Sequence, residues 1–245
     1  MLPRSTPLVA LLLAVSAGCS ARAGSATNEN VRSAEQHAWV TPDDAQTAYG
    51  IIQNIGYLPF AYKEDGCYAR ALYMSMELAA SGIPSSAQFI TGQLHPTADI
   101  TWTYHVAPMV QLIGDDHRTI VDPSMETGPV PFDNWVTDVN PAPNYATFFV
   151  PGSVYIGSLN LTHPEQYNGP MIESFDELPP FHESDIQQAC QVMWNYLDWE
   201  QPPRDDLRPV LIARTQELMP LLDDRGKMAD YTQGDTVNCA VPMDP

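Results

Sequence analysis

From residue 41 onward the spacing of apolar positions changes several times, and each change predicts an element. Thr41-Pro42-Asp43-Asp44 has the makings of a helix start. The threonine can cap, the proline stands where no N–H is needed, and two acids sit at the positive end of the helix dipole. A helix over 41–55 is expected, with Pro59 breaking the chain after it. Leu72, Met76, Ala79 and Ala80 then recur at helical spacing with no Gly or Pro among them, so 67–80 reads as a second helix that begins at Cys67. Gly82-Ile83-Pro84 ends it. Strand-like stretches follow at 87–94, 102–113 and 118–121, the last two joined by Gly114-Asp115-Asp116 in the manner of an antiparallel hairpin. Between 123 and 180 the chain is rich in Pro, Gly, Asn and Asp. Its short apolar runs, Phe148-Phe149-Val150 and Val154-Tyr155-Ile156, predict irregular structure with brief strands. Residues 183–199 and 206–222 have amphipathic helical spacing, separated at Pro202-Pro203, and 226–245 reads as a polar tail.

This order of helices and adjacent antiparallel strands predicts an α+β fold. A chain of 245 residues allows one domain with appendages rather than two large domains. The expected division is a signal peptide at 1–23, a flexible leader at 24–38, a catalytic core at 39–182 and a C-terminal helical extension at 183–245. The signal assignment rests on Arg4, the apolar run 8–15 and small residues after it; the run is too short to span a bilayer. Ala21-Arg22-Ala23 suits ordinary signal cleavage. Ser16-Ala17-Gly18-Cys19 suits a lipoprotein box in which Cys19 would carry the lipid. Either way the protein is expected outside the cytoplasm, secreted or periplasmic, with no membrane span.

Thirty acidic against eleven basic residues give a net charge of -19. Such a surface repels nucleic acid and anionic membranes and favours basic or neutral protein partners. A monomer without cofactor or metal is expected: His117, His163 and His182 lack zinc-site spacing, and no phosphate-binding glycine loop occurs. Asn160-Leu161-Thr162 fits a glycosylation pattern, which carries little meaning beside a bacterial type of signal. Of four cysteines, Cys19 is removed or lipidated, so three thiols remain in an oxidising compartment. Cys67 has a chemical context, which leaves Cys190 and Cys239 as the expected disulfide.

That context is a helix N-terminus, where N–H dipoles favour a thiolate and the Cys67 N–H can donate to a developing oxyanion. Gly66 permits the tight turn. Trp102-Thr103-Tyr104-His105-Val106-Ala107 lies on a strand, and Thr119-Ile120-Val121-Asp122-Pro123-Ser124 ends the next. A hairpin sets His105 beside Asp122, so that the carboxylate orients the imidazole and the imidazole activates the thiol. Taken singly, Cys67 could be a buried small side chain, His105 a core histidine and Asp122 a turn residue.

Asp65-Gly66-Cys67-Tyr68-Ala69-Arg70-Ala71, the His105 strand, and Ile120-Val121-Asp122-Pro123-Ser124 with Gly128-Pro129-Val130 resemble the secreted bacterial protein-glutaminase (protein-glutamine deamidase) family. The resemblance covers 58–130, including Pro59-Phe60 and Tyr62, and extends more loosely to the transglutaminase-like and papain-like superfamily. It implies a core with the nucleophile's helix packed on an antiparallel sheet. It also implies Cys67 as nucleophile, His105 as base and acid, and Asp122 as orienting carboxylate, with proteins bearing exposed glutamine as substrates. Trp102, Tyr104 and Tyr68 become candidates for shaping the acyl site or donating to the oxyanion, Trp102 through its indole N–H. A core role for Trp102, and a helix-start role for Tyr68 and Arg70, remain open. Relatives of this kind carry a sizeable inhibitory pro-segment, whereas only 24–38 separate the signal from the core here, so self-inhibition of that kind is not expected. A transglutaminase, a cysteine peptidase and a non-enzymatic exported domain are the alternatives. Transglutaminase-like motifs usually place Trp after the nucleophile, where this chain has Tyr68.

Overall fold

The computed structural model describes residues 40–60, 64–113, 118–157, 172, 174–234 and 236–240. The expected signal, the leader, Cys19, Trp39, Tyr62, the 114–116 turn, His117, Asn160 and His163 lie outside these residues. Among those described, no helix is long and apolar enough to cross a membrane.

Helix α1, Pro42–Gln53, starts as its first residues dictate, with Thr41 and Asp44 forming a reciprocal capping box. Helix α2, Cys67–Ala80, is buried from Cys67 to Ala79. A helix buried on all sides needs cover all round. One side packs on the sheet, and α1, α4 (Glu183–Trp199) and α5 (Arg208–Asp223) supply the rest.

The sheet has five strands in the order β4-β3-β2-β1-β5, every pairing antiparallel. Strands β1, Ser86–Thr97, and β2, Ile100–Gln111, form a long hairpin, with β3 at Arg118–Ile120, β4 at Val130–Pro131 and β5 at Ala146–Pro151. Because side chains alternate across a strand, Ala87, Phe89, Val106 and Val110 face the main core with α2. Ile90, Ala107, Met109 and Ile120 face a second cluster closed by Trp135 and Val139 of α3, Phe132–Val139. The class is α+β, as the spacing predicts.

Three expectations are corrected. Residues 132–139 form helix α3 rather than irregular chain: Phe132, Trp135, Val136 and Val139 recur at i, i+3, i+4 and i+7, and Asn140 ends the helix in the left-handed region (φ 50°). Val154-Tyr155-Ile156 forms no strand. The tail is not merely polar, since Val237 and Cys239 are buried in the main core. Cys190 and Cys239 are joined as a disulfide across 49 residues. Replacing both by alanine should lower the unfolding free energy by about 2–4 kcal/mol, read from urea midpoints; equal midpoints, or two free thiols in a non-reducing peptide map, would refute the pairing.

Candidate active site

Cys67 opens α2 directly after Gly66, whose φ of 85° is a left-handed conformation that glycine adopts without strain. A Cβ at Gly66 would lie 2.4 Å from Cε2 of Tyr196, so the turn is closed against the Tyr196 ring and admits no side chain. No side chain caps the helix start, and its N–H dipoles act on the sulfur instead. Cys67 is the free cysteine among the described residues and is buried.

His105 projects from β2 beside it, hydrogen-bonded to the Cys67 thiol. Its Nε2 lies 2.8 Å from Oδ2 of Asp122, just beyond β3, which leaves Nδ1 for the sulfur. Asp122 is 1% exposed, and a buried carboxylate needs every lone pair satisfied. Oδ1 accepts from the Ser124 N–H (3.1 Å) and hydroxyl (2.5 Å); Oδ2 also accepts from Trp135 Nε1 at 2.9 Å. The imidazole is in ring contact with Trp102, at 4.8 Å between centroids, and with Trp135, at 5.6 Å.

Burial alone would lower the His105 pKa, but the charge and hydrogen bond of Asp122, with the Cys67 contact, outweigh it and push it up to about 9. Burial works against the Asp122 carboxylate too, yet His105, Ser124 and Trp135 hold its pKa below the ordinary value. An imidazolium therefore stands next to the sulfur at neutral pH. Since the His105 pKa is raised on folding, its contribution to stability is complete below the unfolded value, ~6.5, and is lost as pH rises through about 9. The Asp122 contribution, from a lowered pKa, disappears only as pH falls below the ordinary carboxylate range. The difference in melting temperature between wild type and His105→Gln should therefore shrink as pH is raised from ~6.5 to about 9. A constant difference would contradict an imidazolium in the folded site.

A cavity of about 180 Å³ opens at His105, walled by Phe60, Ile100, Trp102 and Met125, with Arg70 and Ser124 contributing polar groups. A pocket with apolar walls and the base at one end suits a short aliphatic side chain carrying an amide. Trp102 lines this cavity beside His105 and also packs against the second core cluster. Tyr104 and Tyr68 do not line the cavity. Tyr104 donates to Asp65 Oδ1 at 3.3 Å, and Tyr68 is buried in ring contact with Tyr104 and Tyr155. A larger hollow of about 370 Å³ between α1, α2 and α5 lies away from Cys67 and His105; Glu77 and Arg214, paired at 2.6 Å, stand in its wall.

Sequence reasoning missed Trp135, Asp65 and Tyr196. The helical spacing of 132–139 was the available signal for Trp135. Asp65 lies within the nucleophile motif but suggests only a turn, and Tyr196 reads as one apolar position of an amphipathic helix.

Residues 45–139, which hold the whole Cys67–His105–Asp122 constellation, match the model of a family described as Glutaminase. This segment belongs to the glutaminase family. The glutaminase segment runs from α1 through α3 and leaves α4 and α5 outside it. A search of curated proteins finds no match. Among solved structures, the chain is similar to the NMR structure of protein-glutaminase from Chryseobacterium proteolyticum, with 26% identity over 63% of this chain and 86% of that one and a TM-score of 0.46. A crystal structure of protein-glutaminase gives 25%, 62%, 85% and 0.46 in the same order. A mutant of pro-protein-glutaminase gives 26% identity and a TM-score of 0.43, and the chain spans about half of that protein's length (52%).

Proposed function

We propose that the protein is an exported protein-glutamine glutaminase, converting the side-chain amide of protein-bound glutamine to glutamate with release of ammonia. The observation that carries this reading is the Cys67–His105–Asp122 relay at the start of a buried helix, inside a segment of the glutaminase family. The thiolate of Cys67 attacks the carboxamide carbon, and the C–O electron pair moves onto oxygen, where the Cys67 N–H and the helix dipole stabilise it. As the tetrahedral intermediate collapses, the C–N bond breaks and the His105 imidazolium gives its proton to the nitrogen. Ammonia leaves, and the acyl group remains on sulfur as a thioester. Neutral His105 then takes a proton from water, hydroxide adds to the thioester, and collapse releases glutamate and the thiolate with His105 protonated again. Asp122 keeps Nδ1 of the ring directed at sulfur by accepting from Nε2 throughout. Trp102 and the other apolar walls hold the aliphatic part of the glutamine.

Export to the periplasm or beyond accords with the expected signal peptide and with the paired Cys190 and Cys239. Residues 39–182 form the protein's catalytic core and 183–245 a C-terminal helical extension. The test is incubation of the purified protein with a glutamine-rich protein. Ammonia release with chain lengths unchanged is expected. Cross-linked chains would mean acyl transfer to lysine, cut chains a peptidase, and neither change nor ammonia a binding module.

A further inference from the structure

The residues flanking Cys67 are all held by one side chain from outside the glutaminase segment. Tyr196, on α4, donates to Asp65 Oδ2 at 2.7 Å, closes its ring over Gly66 and is hydrogen-bonded to Tyr68. The second oxygen of Asp65 accepts from Tyr104, next in sequence to His105. One carboxylate thereby joins the turn before the nucleophile, the strand of the base and the C-terminal helix. Burial and the neighbouring Asp65 charge push both hydroxyl pKa values far above the ordinary tyrosine value, with Cys67 adding to this at Tyr104 and Tyr68 at both. Both tyrosines consequently remain donors at any working pH.

The geometry points to Asp65 and Tyr196 as positioning residues that set the approach of Cys67 to His105, which makes α4 part of the catalytic machinery. This rests on the Cys67–His105 chemistry proposed above. Cys67 has no cap or side-chain tether of its own beyond His105, whereas its neighbours at 65, 66 and 68 are fixed by Tyr196. Releasing one hydroxyl would let the turn shift by a fraction of an ångström, and small misplacements of reacting groups are expensive in rate.

Tyr196→Phe keeps the ring on Gly66 and removes the hydroxyl with its bonds to Asp65 and Tyr68; Tyr104→Phe removes the other bond to the same carboxylate. Two readouts apply to each variant: steady-state ammonia release, and the rate at which iodoacetamide alkylates Cys67 at pH 7, a reaction that requires no glutamine substrate. Positioning predicts that Tyr196→Phe lowers kcat about tenfold with KM little changed. It also predicts slower alkylation, because the imidazolium no longer sits against the sulfur, with Tyr104→Phe changing both readouts in the same direction. A merely structural role predicts the opposite sign for alkylation, since a loosened fold exposes buried Cys67 and speeds it. Unchanged kcat and alkylation in Tyr196→Phe, or faster alkylation in both variants, would overturn the inference. Slower alkylation in a protein whose wild type releases no ammonia from glutamine would uphold the positioning role and discard the glutaminase reading instead.

Discussion

Cys67→Ala is expected to lower ammonia release by about 10⁵–10⁶-fold, the scale on which loss of a nucleophile removes covalent catalysis. The fold should survive, because the change removes one sulfur from a helix start whose turn is fixed by Gly66, Asp65 and Tyr196. Cys67→Ser should be nearly as inactive even though it retains an oxygen in place of sulfur, since an alcohol at this position lacks thiolate character. Circular dichroism and melting temperature establish folding, and an ammonia assay reads activity. Iodoacetamide should label Cys67 in the native wild type and abolish activity in proportion to labelling. A folded Cys67→Ala protein with wild-type turnover would remove Cys67 from the mechanism.

Asp122→Asn should be almost as damaging to turnover, by about 10⁴-fold, because the amide leaves the imidazole in the wrong tautomer. Here the structure changes what the variant tests. For a simple turn residue before Pro123, asparagine would serve nearly as well as aspartate. Each oxygen of Asp122, however, accepts two hydrogen bonds. Whichever way the amide is turned, its NH₂ group meets one N–H that can only donate, that of the Ser124 backbone or of the Trp135 indole. Stability should therefore fall as well, by about 1–3 kcal/mol for the unmet bonds. Trp135→Phe separates the two effects, since it removes one of those bonds and retains the carboxylate. Its turnover should remain far above that of Asp122→Asn at comparable loss of melting temperature. Equal turnover in the two variants would reduce Asp122 to a structural group and leave Cys67 and His105 as a dyad.

The pieces of the site that were legible in sequence are local. Thr41-Pro42-Asp43-Asp44 announces α1, and the uninterrupted helical spacing after Cys67 announces α2, because capping and periodicity act over a few residues. The succession of strand segments carrying His105 and Asp122 is legible for the same reason: an antiparallel hairpin brings together residues that are near in the chain. What escaped is either obscured by composition or remote. Helix α3 lies in a stretch crowded with Pro, Asn and Asp, which masks the spacing of Phe132, Trp135, Val136 and Val139. The bond between Tyr196 and Asp65 joins residues 131 apart, and nothing in the local pattern of either marks the other. Trp102 is ambiguous in sequence because a half-buried strand tryptophan suits a core and a cavity wall equally, and in the structure it does both, packing on the second core cluster and stacking on His105 at the cavity.

The most direct measurement of the central claim is peptide mapping of a glutamine-rich protein after incubation with this enzyme in water enriched in oxygen-18. The account predicts that side-chain amides become glutamates, each holding one oxygen from the solvent, with the protein backbone uncut and the conversion absent when Cys67→Ala replaces wild type. Glutamine side chains unchanged by the folded wild-type protein, or converted equally well by Cys67→Ala, would contradict it.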